Sequence, residues 1–125
     1  MDSEREQAAE LLERAADGFE SGRYYWTRGQ YSKVVFGTRA YCSLGALAHE
    51  QGQHPRLVDE HNPVMGRAIE ALAKQIMPDR KWQGSWWDTA GSIVVGFNDL
   101  LPKGEASKRQ VIDHMKHAAK DLRNE

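Results

Sequence analysis

Two segments at opposite ends of this chain place apolar side chains at helical spacing. Ala8, Leu11, Leu12, Ala15, Ala16 and Phe19 form one stripe, and Val111, Ile112, Met115, Ala118, Ala119 and Leu122 form the other. An amphipathic helix has to bury its stripe against another element, so the pattern predicts a mainly α fold. A chain of 125 residues fills one core, and two would each be marginal. Residues 1–125 are therefore read as a single domain.

Local signals place the rest. Ser3 with Glu6 and Ser107 with Gln110 have capping-box spacing and predict the starts of the first and last helices. Gly18 or Gly22 ends the first. Asn62-Pro63 opens a helix carrying Val64, Ala68, Ile69, Leu72 and Ile76 on one face, which ends before Pro78. A short apolar helix is expected from about Arg39 to Gln51, with a small face at Gly45 and Ala46 that lets another backbone approach. The run from Ser92 to Leu101 is short and β-branched, so strand and helix are both open, and helix is preferred. Residues 23–36 are rich in aromatic and β-branched side chains around Gly29, which predicts a short β-hairpin with its turn there. The expectation is about four main helices, an aromatic β-hairpin near residues 23–36, and a tryptophan-rich loop over the surface.

Charge narrows the function. The formal net charge is −1, yet residues 1–20 hold seven acids against two arginines, so that segment is −5 and the remainder +4. Residues 101–125 hold six basic side chains against four acids. An acidic first helix and a basic last helix are expected to attract one another. A duplex-binding protein carries a clear basic excess, so general nucleic-acid binding is disfavoured. The uncharged stretch Thr89 to Asn98 is far shorter than the ~20 apolar residues of a membrane span. The start, Met1-Asp2-Ser3-Glu4-Arg5, is unlike a secretory signal. A single cysteine forms no internal disulfide, and a cytoplasmic location is expected.

Several segments together carry a resemblance: Trp26-Thr27-Arg28-Gly29, Tyr41-Cys42-Ser43-Leu44-Gly45-Ala46-Leu47, Phe97-Asn98-Asp99, and the last helix with Val111, Met115, Ala118 and Ala119. In order and spacing the set resembles an uncharacterised domain family of actinobacteria and their phages. Such proteins more often have Trp where this chain has Phe97, a change that keeps packing and loses an indole donor. The resemblance implies a phage or actinobacterial setting and no particular reaction.

Five constellations are candidates for chemistry. Cys42, expected in the first turn of a helix, is the one catalytic candidate, because a helix N-terminus stabilises a thiolate. Chain order allows Cys42, then His54 or His61, then Asn98. Against it, His49 lies roughly 10.5 Å along the helix at ~1.5 Å per residue, and free cysteine is commonly buried as a small hydrophobe. His114, His117 and Asp121 share a helix surface and resemble a metal set less than a solvated face. Arg23, Arg28, Lys33 and Arg39 interleave with Tyr24, Tyr25, Trp26, Tyr31 and Phe36, the arrangement that grips single strands. A half-buried ribbon with a basic face gives the same pattern. Asn98-Asp99 reads as a local cap.

Trp82, Trp86 and Trp87 among glycine and serine are the least ordinary feature, since tryptophan is enriched at binding hot spots. The sequence therefore predicts a non-enzymatic accessory protein that binds a host or phage protein, or itself, through Trp82, Trp86 and Trp87, with Trp26 and Arg28 as further contacts. No cofactor, metal or membrane partner is expected. The alternatives are a cysteine-dependent hydrolase or transferase using Cys42, and single-stranded nucleic-acid binding by the basic aromatic ribbon.

Overall fold

The first apolar stripe becomes α1, Ser3–Ser21, whose buried residues include Ala8, Leu11, Leu12, Ala15, Ala16 and Phe19. The computed structural model describes residues 3–55, 58–59, 61–78 and 86–125, with side chains from residue 90 onward in the last span. Among the described residues α1 is followed by three strands, β1 (Tyr25–Trp26), β2 (Ser32–Val35) and β3 (Thr38–Tyr41). Four helices complete the order: α2 (Ser43–Glu50), α3 (Pro63–Ile76), α4 (Trp86–Leu100) and α5 (Glu105–Arg123). This is the mainly α architecture expected, with α2 as the short helix beside four longer ones.

The core is the space between α1, α3 and α5, closed at one end by α2 and α4. Many of its members are alanines, among them Ala8, Ala15, Ala118 and Ala119, which let α1 and α5 approach closely along their lengths. Outside the core the same pair is tied by charge, as the sequence leads one to expect. Arg123 reaches Glu6 at 3.0 Å and Glu13 at 2.6 Å, and Glu20 receives Arg109 at 2.6 Å and Lys116 at 2.8 Å.

The β region differs from expectation. The hairpin is β2–β3 and turns at Phe36-Gly37; Gly29 belongs to the loop before it. Both turn residues have positive φ, 48° and 79°. That pair suits the twist of a tight hairpin, and glycine adopts it at no steric cost while phenylalanine does not. Phe36 is also fully exposed. β1 adds to β3 in parallel, giving the order β1-β3-β2.

Three boundaries move as well. Residues Thr38–Tyr41 are strand, so α2 begins at Ser43 with Cys42 as its N-cap, and not at Arg39. The last helix begins at Glu105 behind Gly104, with no side-chain cap, and Ser107 is a buried residue of its first turns. The 92–100 run is helix, as preferred, but α4 starts at Trp86, so Trp86 and Trp87 belong by backbone to its first turn and not to a loop. Trp82, and the side chains of Trp86 and Trp87, lie outside the described residues.

Other signals hold. Asn62 Oδ1 accepts from the amides of Val64 and Met65, both at 3.1 Å. Gly22 follows α1, while Gly18 lies inside it against the Tyr24 ring. The small face of α2 is used as expected. A methyl on Gly45 would collide with the carbonyl oxygen of Tyr31, so the loop before β2 lies directly on this helix.

Candidate functional site

Asn98 lies on α4 and is 1% exposed. Its Oδ1 accepts from Trp26 Nε1 at 2.7 Å, Ser43 Oγ at 3.0 Å and Ser43 N at 3.2 Å. Its Nδ2 donates to the Thr27 carbonyl at 3.1 Å and to Asp99 Oδ1 at 3.3 Å. Indole and peptide N–H groups only donate and a carbonyl only accepts, so one amide orientation satisfies the set. Asp99 Oδ1 also accepts from the Gly29 amide at 2.8 Å, and Arg28 donates to the Leu101 carbonyl at 3.0 Å. One buried amide thus ties the 26–29 segment, the start of α2 and the end of α4 together. The local capping role expected of Asn98-Asp99 is replaced by bonds that cross the chain.

The network positions the sheet. Tyr25 and Lys33 both pair with Ala40, which puts the three in one row on one face. The next residues, Trp26, Tyr41 and Ser32, share the opposite face. Tyr41 there meets Tyr24 edge-on and stacks on His49, with centroids 5.0 Å apart in each case.

Over the first face lies a pocket of about 260 Å³ lined by Tyr25, Arg28, Lys33, Val35, Ala40 and Lys103, with neighbouring backbone. Ala40, 1% exposed, lies beneath the larger Tyr25 and Lys33 that flank it, and Tyr25 is 45% exposed. Among the described residues no acid lines the pocket, and Lys33 and Lys103 make no ion pair.

The basic ribbon of the sequence therefore divides. Arg28 and Lys33 reach the pocket, while Arg39 pairs with Val34 in the row beyond Ala40. Arg23 is engaged elsewhere, at 3.0 Å from Glu50. The Glu50 carboxylate also accepts from Tyr24 Oη at 2.8 Å, and burial together with this carboxylate pushes the Tyr24 phenol far above its ordinary range. Neither the Glu50 cluster nor the pocket role of Lys103 is signalled locally in the sequence. Lys103 lies more than sixty residues from the strands it joins.

Cys42 is 4% exposed. Its Sγ accepts from the Gly45 amide at 3.4 Å, and burial pushes the thiol up to about 11 despite helpful backbone amides. A depression of about 80 Å³ between Gly29–Tyr31, Val95 and Asp99 reaches it. No histidine is bonded to it among the described residues, and the Asn98 amide is engaged by Trp26, Ser43 and Thr27. The arrangement is that of a helix cap.

His114 packs on Phe97, with ring centroids 5.3 Å apart, and burial lowers its pKa. Phe97 thus faces α5, while the indole donor at Asn98 comes from Trp26. Asp121 accepts from Gln75, which engages the carboxylate that the sequence groups with the two histidines.

Residues 3–121 match the family described as "Family of unknown function (DUF6197)". No curated protein and no solved structure matches the chain.

Proposed function

The chain belongs to that family of unknown function, and we propose that it is a non-enzymatic accessory binding protein whose recognition surface is the pocket on the outward face of its sheet, shaped for an anionic ligand. The observation that carries this is the gathering of Arg28, Lys33 and Lys103 around one acid-free pocket while α5 cations pair with α1 acids. Low net charge argues weakly against it. Of the α1 acids, Glu6, Glu13 and Glu20 are paired with α5 cations, and screening over about 8 Å at physiological salt limits the reach of the others.

The capped, buried Cys42 supports a binding role over a cysteine nucleophile. The resemblance supports a phage or actinobacterial setting, and an unpaired, buried cysteine fits the cytoplasm. Trp82, Trp86 and Trp87 supply a second contact, toward a host or phage protein or a second copy of the chain.

Retention on immobilised heparin tests the anionic preference. The wild type is expected to bind at low salt and elute as salt rises. The Lys33→Glu/Lys103→Glu double variant passes through, while Lys108→Glu/Lys120→Glu, with the same change of charge on α5, is retained. Equal retention of the two double variants, or an unretained wild type, overturns the reading.

A further inference from the structure

Resting on that anionic reading, we propose that the pocket takes a nucleoside phosphate, its base lying against Tyr25 beside Val35 and its phosphate among Arg28, Lys33 and Lys103. Two kinds of surface meet there. The row Tyr25–Ala40–Lys33 passes from an exposed aromatic ring, across the small, buried Ala40, to a cation. Val35 extends the apolar part along β2, and Arg28 and Lys103 add positive charge from the side.

A carboxylate or bare phosphate would meet the cations and leave Val35 and the phenol ring of Tyr25 uncovered. An apolar ring alone would leave the three cations without an anion. A nucleotide joins a flat ring to an anion through a short sugar and covers both, since every base offers a face for stacking on an aromatic side chain.

The site is also held before any ligand arrives. Arg28 is fixed by the Leu101 carbonyl at 3.0 Å, and no acid among the described residues pairs with its guanidinium. The β1 strand bearing Tyr25 is pinned one residue later by Trp26 Nε1 on Asn98. A binding group already held in place loses less freedom on binding. The volume, about 260 Å³, lies just under the ~300 Å³ at which small-molecule pockets begin, which suits one nucleotide unit and not a larger cofactor.

Calorimetric titration with adenosine monophosphate, ribose 5-phosphate, a glutamate-rich peptide and a single-stranded oligonucleotide tests this. Adenosine monophosphate is expected to bind at least about tenfold more tightly than ribose 5-phosphate, the contribution of one stacked base. Tyr25→Ala removes that difference and leaves ribose 5-phosphate unchanged, while Lys33→Ala/Lys103→Ala weakens both. Tyr25 is half exposed, so the substitution spares the core, and an unchanged melting temperature confirms it.

An oligonucleotide that binds far more tightly than the mononucleotide identifies the source as a strand, and equal affinities identify a free nucleotide. Adenosine monophosphate binding no better than ribose 5-phosphate, an inert Tyr25→Ala, or preference for the acidic peptide overturns the inference. Heparin retention that persists in those cases leaves the anionic pocket standing, and its loss removes both.

Discussion

Asn98 holds three donors on one oxygen and gives both its protons away, inside a site that water does not reach. Asn98→Leu keeps much of the volume and leaves the Trp26 indole, the Ser43 amide and the Thr27 carbonyl without partners. Each buried orphan costs about 1–3 kcal/mol, so a loss of roughly 2–5 kcal/mol is expected from urea denaturation. A change below about 1 kcal/mol would mean that the segments are held by packing alone. Cys42 makes the opposite kind of prediction, one of inertness. A thiol raised to about 11 stays protonated through neutral pH, so alkylation of the folded protein from pH 5 to 9 should be slow and become fast on denaturation. Rapid reaction with a midpoint below the ordinary ~8.5 would restore the nucleophile.

At the scale of elements, what the sequence discloses depends on the length of the repeat. Helices α1, α3 and α5 run for 14 to 19 residues, enough turns for an apolar stripe to declare itself. Asn62-Pro63 then reads correctly because its cap is local. Strands of two and four residues have no such repeat. Gly29 and Gly37 both have positive φ, and nothing near Gly29 says that its loop lies on α2 while Gly37 closes the hairpin. Cys42 reads as a first-turn residue and not as the N-cap for the same reason, since Thr38–Tyr41 reads as easily into the following apolar run as into a strand. The candidate site lay deeper still. Trp26, Arg28 and Asn98-Asp99 were each visible as residues of interest, but Trp26 and Asn98 are 72 positions apart, and only the fold brings them into one network. Lys103 carried no signal at all.

For the whole molecule, net charge is a poor guide to local charge, because the α1–α5 pair stays net acidic after its ion pairs form while Arg28, Lys33 and Lys103 gather at the sheet pocket. The same pairing sets an acid response. Hydrogen bonds from Lys116 and Arg109 lower Glu20 to about 2, and Arg123 lowers Glu13. A carboxyl group depressed on folding stabilises above its unfolded pKa and loses that contribution as pH falls through the folded value, so this loss belongs between about 4.5 and 2. His114 acts in a separate window. Burial lowers its pKa, so its contribution is present above about 6.5 and declines as pH falls below that value. Denaturation midpoints followed from pH 8 to 2 should therefore fall in two stages, with only the lower stage reduced by Glu20→Gln and weakened by salt. A single stage insensitive to Glu20→Gln would contradict the assignment.

The α1–α5 contact also has a consequence for synthesis. Helix α1 leaves the ribosome before its principal packing partner, which is encoded more than eighty residues downstream. At roughly 5–20 residues per second, the nascent chain carries an uncovered stripe of leucine, alanine and phenylalanine for several seconds. Through that interval the net negative charge of α1 makes the stripes of neighbouring chains repel one another, with the same acids that later meet α5.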